Sequence, residues 1–376
     1  MRAILPPSML GILGGGQLGR MFAMAAKTMG YRVTVLDPDQ NAPAAQFADV
    51  HLCAPFNDAG ALKTLADTCA AVTTEFENVN ADAMRELARR VPVSPSGDCV
   101  AIAQDRIAEK AWVRKAGLPT APYLAIETVA DIQVELSPYL PGILKTARLG
   151  YDGKGQVRVR TAEEARAAYA DLGGQACVLE KMMDLKLEVS AIVIRTSASQ
   201  VAVFPVAENR HEGGILDVSI VPARIGAALA AQVQQMAVRL AEELNYVGVL
   251  AVEFFVLGDD TLVVNEMAPR PHNSGHYTLT ACLTDQFQQQ VRAMCGLLPG
   301  KTDLLSPVVM VNLLGDVWKE DGGEPNWDVL AETPNAQLHL YGKKQARPGR
   351  KMGHFNVMAA SADAALEQAE ALKDTL

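Results

Sequence analysis

Leu250-Ala251-Val252-Glu253-Phe254-Phe255-Val256, then Gly258-Asp259-Asp260, then Leu262-Val263-Val264-Asn265-Glu266, is the stretch that decides the fold. Two apolar runs joined by a Gly/Asp turn read as paired strands of a hairpin. Each run carries one acid, and in such a pairing Glu253 and Glu266 can lie side by side. Burying two carboxylates among these neighbours is unfavourable unless a cation compensates. Mg²⁺ suits them, because it prefers oxygen ligands and binds through a few carboxylates plus phosphate oxygens. Two solvated edge acids would fit these flanks poorly. Glu253 and Glu266 are therefore the candidate metal ligands.

The next residues, Pro269-Arg270-Pro271-His272-Asn273-Ser274-Gly275-His276, pack cation, imidazole and amide groups into one loop. Beside a metal hairpin they suggest capture of an anion near a transferred phosphoryl group. The alternative is a structural loop in which Arg270 pairs with an acid, and His276 reads as a helix start. Upstream, Lys145 ends the strand run Gly142–Thr146 and precedes Gly150-Tyr151-Asp152-Gly153-Lys154-Gly155-Gln156. Three interleaved glycines with an Asp and a Lys describe a mobile hairpin loop able to wrap phosphates. Lys145 would add a point charge on a phosphate. A plain surface hairpin has similar turn chemistry, but coexistence with the acid hairpin favours the phosphate reading. Glu180-Lys181-Met182-Met183 follows the strand Ala176–Leu179. An acid with open backbone groups there could grip a ribose and an adenine edge. Alone it would read as an ordinary strand end, with the methionines as core filler.

At the N-terminus Met9–Leu13 reads as a strand, Gly14–Gly19 as a turn opening a helix through Ala26, and Arg32–Leu36 as the next strand, ending at Asp37. Gly14-x-Gly16-x-x-Gly19 fits the dinucleotide fingerprint, with Asp37 placed for a ribose contact. A tight turn in any doubly wound domain would look the same. Ala70–Thr74, ending at Glu75, joins this parallel layer, and Pro92, Pro95 and Gly97 close it. One helix is predicted from Asp98 to Ala116, with Asp98 as cap. Further helices are read at Ala162–Leu172, Ile225–Leu244 and Ala362–Leu372, and a hairpin at Val189–Ile194 with Val201–Val206. The fold class is α/β, α+β overall. The domains expected are 1–100, 101–306 (with a lid at about 120–183) and 307–376. Lys343, Lys344, Arg347, Arg350 and Lys351 crowd one C-terminal loop. A phosphate site and a solvated basic loop both stay open on position alone.

The 376 residues are 49% hydrophobic and 20% charged, as in a globular protein with a sizeable core. A net charge of −9 argues against nucleic-acid or polybasic membrane binding. Any anionic substrate must therefore meet a local basic cluster. The six cysteines show no CxxC pair or His/Cys cluster, so buried free thiols in a reducing cytosol are expected. Pro6, Pro7 and Gly14–Gly16 interrupt the N-terminal apolar stretch, which argues against a signal peptide. These features point to a cytoplasmic protein.

A glycine loop, a preceding Lys, a strand-end Glu and a Glu…Asn-Glu hairpin, in this order, resemble the ATP-grasp superfamily. Gly11–Met21, Gly150–Gln156, Arg210–Ile215, Asn265–His276 and Tyr341–His354 look like the N5-carboxyaminoimidazole ribonucleotide synthetases within it. The resemblance spans essentially the whole chain. It implies an ATP-grasp fold with a Rossmann-like pre-ATP-grasp domain and a small C-terminal domain, and a homodimer. It implies an ATP site of Arg106, Lys145, the loop Gly150, Tyr151, Asp152, Gly153, Lys154, Gly155 and Gln156, then Glu180, Lys181, Met182, Met183, Glu188, His211, Asn265 and Glu266. Aminoimidazole ribonucleotide and bicarbonate would meet Gly16, Gln17, Leu18, Glu75, Tyr151, Asp152, Lys154, Arg270, His272, Asn273 and Ser274. Lys343 and Arg350 would hold the 5′-phosphate. Asp152, Lys154, Arg270 and His272 would act in catalysis, with proton handling open between Asp152 and His272. Leu149 departs from the pattern, since relatives often carry glycine there. A formate-using sister ligase, a nicotinamide oxidoreductase and a non-catalytic nucleotide module are the rival readings; the last two leave the Lys145 loop or the second acid unexplained.

Overall fold

The computed structural model describes residues 3–150, 154–318 and 323–376. The first unit grows from the glycine turn. β1 (Met9–Leu13), α1 (Gln17–Thr28), β2 (Arg32–Leu36), β3 (Val50–Leu52), α2 (Ala59–Thr68) and β4 (Ala71–Thr74) build a parallel sheet in the order β3-β2-β1-β4. Parallel strands end on a common rim, so Leu13, Leu36 and Thr74 bring Asp37 and Glu75 to the start of α1. α3 (Ala81–Ala88), α4 (Gly97–Ala103) and α5 (Arg106–Lys115) lead out of this unit.

The single helix predicted from Asp98 to Ala116 is two helices. The Ser96 hydroxyl, not Asp98, caps α4 by accepting the Cys99 N–H, while Asp98 pairs with Arg85. Asp105 then caps α5, its carboxylate accepting from Ile107 and Ala108. A side chain that satisfies the first orphan N–H groups starts a new helix wherever it stands. The break makes Arg106 a first-turn residue directed at the acid hairpin.

β5 (Tyr123–Ile126), β6 (Gly142–Thr146), β7 (Gln156–Val159), α6 (Ala162–Asp171) and β8 (Cys177–Lys181) form a four-stranded antiparallel layer ordered β5-β8-β6-β7. α6 buries Ala165, Ala168 and Tyr169 against Leu144, Val159 and Leu179.

Then come β9 (Leu185–Arg195), β10 (Val201–Val203), β11 (Ala207–Glu212), β12 (Ile215–Val221), α7 (Ala227–Glu243), β13 (Gly248–Leu257), β14 (Leu262–Ala268), α8 (Thr278–Ala281) and α9 (Gln286–Met294). The chain ends with β15 (Val308–Leu314), α10 (Asp328–Ala331), β16 (Ala336–Leu340), β17 (Lys351–Met358) and α11 (Ala362–Lys373). One long sheet runs β14-β13-β9-β11-β12-β15-β17-β16, with β10 also paired to β9. The C-terminal strands thus extend the central sheet and add a core of their own, where Phe355 and Val357 meet Leu366 and Ala369 of α11. α7 covers β9 and β13 with Val233, Ala237 and Leu240. Gln290 of α9 ties the units together: its Oε1 accepts from Val249 N–H at 2.7 Å, and its Nε2 donates to Thr73 Oγ1 at 2.8 Å. Of the six cysteines, five are buried free thiols as expected, while Cys53 is exposed. Among the described residues no helix is long and apolar enough to cross a membrane.

Asp105→Ala removes the cap of α5 and its pair with Arg148. It should cost about 1–2 kcal/mol, seen as a lower urea midpoint with an unchanged slope.

Candidate active site

β13 and β14 pair antiparallel with Glu253 directly opposite Glu266, and a bulge follows at Glu253/Phe254. The two acids part company electrostatically. Burial alone would raise Glu266, but the Arg106 guanidinium (Nη1 to Oε2, 2.9 Å) and the charges of Lys145 and His272 bring it down to about 2. Burial pushes Glu253 up to about 8, and the facing Glu266 adds to the rise. One acid is an anion held by arginine, while burial and the facing charge favour the protonated form of the other. Glu188, His211 and Glu253 place ligand atoms within 4.8 Å of one another, and His211 Nδ1 lies 3.0 Å from Glu188 Oε2. Two opposed carboxylates beside the Asn265 amide are an oxygen-rich donor set that fits Mg²⁺.

Glu180 does not stand free to take a ribose. Its carboxylate is buried between Lys110 Nζ at 3.2 Å and Lys145 Nζ at 3.3 Å. The pairing holds it in the anionic form against burial, and it fixes where Lys145 points. Lys110 and Glu109 escape sequence reading, because on a short helix with Arg106, Arg114 and Lys115 they look like an ordinary solvated face. Both are buried. The Glu109 carboxyl accepts the Met267 N–H, and burial, then Glu266, pushes it up to about 8. Their signal is their place, since the helix starts at Arg106 and its next turn must face β14.

Arg106, Lys145, Gly150, Lys154, Gln156, Glu188, His211, Glu253, Asn265, Glu266, Arg270 and His272 line one cleft, together with Lys351. Tyr151, Asp152 and Gly153 lie outside the described residues. Gly155 has φ +72, and a Cβ there would sit 2.7 Å from Thr146 Oγ1, so the loop needs this glycine. Leu149, the departure from the family pattern, also takes a left-handed φ of +63 and is exposed. Glu180, Lys181, Met182 and Met183 lie off the cleft lining, and the N–H groups of Lys181 and Met182 are bonded to the carbonyls of Pro122 and Pro141.

Both readings of Arg270 meet in the structure: it lines the cleft, and its Nε donates to Glu77. His272 is held by its backbone, its N–H bonded to Gln286 Oε1 at 2.9 Å and its carbonyl accepting from Gln286 Nε2 at 2.8 Å. Burial, then the charges of Arg270 and Lys351, pushes the imidazole down to about 3. Ser274, expected at the substrate, is fully buried and bonded to Ser190 and His272, so it cannot touch one. His276 is not a helix start; it is buried, takes a hydrogen bond from Gln286 and stacks 4.7 Å from His354. The Asn273 amide is buried with no partner among the described residues.

The glycine turn binds carboxylates of its own chain. Glu75 accepts the N–H of Gly16 and of Gly19, and Asp37 that of Gly15 at 2.7 Å. A dinucleotide would need this helix N-terminus for its pyrophosphate, so the oxidoreductase reading loses its site. Gln17 and Leu18 are half-buried in the first turn of α1. The basic loop folds against Gly315, with Gly349 N–H on Asp316. Lys343 and Arg350 stay outside the main cleft: Lys343 lines a neighbouring hollow with Asp316 and Trp318, and Arg350 Nη1 bonds Gln345 O at 2.7 Å. Lys344 reaches Asn41 of the first unit at 2.6 Å.

Three family models match in chain order: the ribonucleotide synthetase preATP-grasp domain over residues 8–104, the ATP-grasp domain over 111–287, and the phosphoribosylaminoimidazole carboxylase C-terminal domain over 308–368. The N5-carboxyaminoimidazole ribonucleotide synthase of Bacillus subtilis (strain 168) is 45% identical over 356 residues, 94% of this chain and 92% of its own. The chain belongs to the N5-carboxyaminoimidazole ribonucleotide synthetase family. It is an ATP-grasp ligase. An ADP complex of such a synthetase superposes with a TM-score of 0.92 at 43% identity, covering 99% of this chain and 98% of that one. The Aspergillus clavatus synthase in complex with ADP and 5-aminoimidazole ribonucleotide gives 0.88 at 33% identity, covering 98% of each.

An acid whose folded pKa is raised stabilises the fold below its unfolded value and loses that contribution as pH rises through the folded one. Metal-free protein should therefore lose stability between about pH 4.5 and pH 8, and Glu253→Gln should make that decline shallower. Urea titrations across this window check it; parallel curves would remove Glu253 as the proton holder.

Proposed function

We propose that this ligase uses ATP and bicarbonate to carboxylate 5-aminoimidazole ribonucleotide on its exocyclic amine, giving N5-carboxyaminoimidazole ribonucleotide, ADP and phosphate. The observation that carries the reading is one cleft that unites Arg106, Lys145, the glycine loop and two opposed carboxylates. Phosphoryl transfer needs charge neutralisation and alignment more than covalent chemistry. Lys145, braced by Glu180, supplies a fixed ammonium for the phosphates. Glu253 and Glu266, with Asn265 beside them, would hold Mg²⁺, which when bound neutralises charge on the phosphate oxygens.

Bicarbonate would attack the γ-phosphoryl group to give carboxyphosphate, and this species or CO₂ released from it would carboxylate the amine. The glycine loop would close over the intermediate and keep water out. His272 has both ring nitrogens engaged and a depressed pKa, which leaves Asp152 as the group to test for proton handling. Lys343, whose neighbour Gly342 packs against Arg20, and Arg350 would take the ribonucleotide phosphate. Glu75 and the open Asn273 amide would meet the rest of it. The homodimer implied by family resemblance is checked by sedimentation.

The test is ADP release from Mg·ATP and bicarbonate, with and without aminoimidazole ribonucleotide; release that ignores the ribonucleotide would sink the proposal. Glu266→Gln should lower kcat by about 100-fold or more while leaving the fold intact. Arg350→Ala should raise the KM for the ribonucleotide by about tenfold and spare kcat.

A further inference from the structure

A line of buried polar side chains runs through the central sheet and ends on His272. Ser219 Oγ on β12 donates to Asn209 Oδ1 on β11 at 2.8 Å. Asn209 Nδ2 donates to Ser190 Oγ on β9 at 2.9 Å. Ser190 Oγ donates to Ser274 Oγ at 2.8 Å, and Ser274 Oγ lies 2.9 Å from His272 Nδ1. None of the four residues is more than 5% exposed. Ser219, Asn209 and Ser190 occupy buried positions of three adjacent strands, and Ser274 lies on the turn beyond β14; apolar side chains there would pack without needing partners. A fully satisfied polar chain in such a place specifies geometry.

The direction of the chain is set at the His272 end. The backbone N–H of Ser274 points at His272 Nδ1, 3.3 Å away, and a backbone N–H can only donate. Nδ1 must therefore carry a lone pair, and the neutral ring carries its proton on Nε2. Nε2 lies 3.2 Å from Glu253 Oε1, which can accept whether or not the other carboxyl oxygen is protonated. With Nδ1 as acceptor, the Ser274 hydroxyl donates to it. Ser190 must then donate to Ser274, so it needs a donor of its own, and the Asn209 amide provides one. Ser219 satisfies the amide oxygen. Each group has one arrangement once its neighbour is fixed.

We infer that Asn209 is a positioning residue: through Ser190 and Ser274 it locks His272 as the Nε2–H tautomer, which donates to Glu253 and fixes the orientation of that carboxylate. The other tautomer would aim a lone pair at the acid and oppose its ionised, metal-binding form. Outer partners of this kind orient a ligand and tune its affinity. The tautomer assignment stands on the buried hydrogen bonds alone. Its bearing on metal use rests on the proposed place of Glu253 in the site.

Asn209→Asp keeps the shape and exchanges the donor for an acceptor. Ser190 then donates to the new carboxylate and Ser274 to Ser190, so Nδ1 loses the hydroxyl donor and keeps only the Ser274 backbone N–H. Nitrogen-15 NMR of the six ring pairs in the full chain, with His272 assigned by its loss in His272→Gln, reads the tautomer directly. In the unaltered protein His272 should show a protonated Nε2 and a bare Nδ1, and the reverse would overturn the assignment. In Asn209→Asp a population with the proton on Nδ1 should appear, and the Mg²⁺ concentration for half-maximal ATP turnover should rise by about tenfold or more. An unchanged tautomer would overturn the role of Asn209. Should that variant not fold, Ser190→Ala cuts the same chain, and both tautomers should then appear; a single unchanged Nε2–H form would overturn the proposal. Loss of tautomer control with an unaltered Mg²⁺ requirement would count against the metal role of Glu253 and leave the lock itself standing.

Discussion

Two carboxylates face each other across a ladder whose other rungs are Val, Phe, Leu, Ala and Met. Water cannot fully solvate them there, so the surrounding chain has to. Arg106 reaches Glu266 because Asp105 starts a helix where a continuous one would have carried residue 106 past its target. Lys110, one turn on, reaches Glu180 across the layer boundary, and Glu180 in turn steers Lys145. Glu253 is left to His272 and to whatever cation binds. The lid strands, the helix break and the Arg270 loop are all placed by the need to neutralise this one pair.

The sheet that carries the pair also sets how rigid the site is. Glu253 sits on β13, hydrogen-bonded on both sides by β9 and β14. His272 lies on the loop beyond β14, a less constrained element, and is clamped twice: by the Gln286 amide along its backbone and by Ser274 at its ring. Gln286 and Gln290 stand one turn apart on α9, one holding the loop and the other joining β13 to β4. A single short helix thus connects the His272 loop to the strand that leads into Glu75. The two halves of the substrate reading share one support.

What was legible in the sequence follows from how each feature is encoded. β1, β2, β13 and β14 carry dense local patterns, and they stand where those patterns put them. The acid pairing of Glu253 with Glu266 followed from strand periodicity and one turn. β5, half-buried along most of its length, and β11, whose Asn209-Arg210-His211-Glu212 end is polar, offer no alternation to read. The break at Gln104-Asp105 hid because Asp98 and Asp105 are both good caps and the apolar spacing continues past them. Glu109, Lys110 and Ser190 act through partners between 19 and 158 residues away, which no local window can see. Ser274 was misplaced for the opposite reason: its motif is polar, but its side chain turns into the sheet.

The glycine turn shows why a fingerprint and a function part company. Gly15, Gly16 and Gly19 present backbone N–H groups at the start of α1, the place a pyrophosphate takes in dinucleotide folds. Here Glu75, one residue past β4, and Asp37, one residue past β2, deliver carboxylates to those donors. The donors are satisfied, and the space a phosphate would need is filled by side chains that cannot leave without breaking the strand ends. Burial still raises Glu75 despite its two N–H bonds. The pattern of glycines records where N–H groups point; the neighbouring strands decide what meets them.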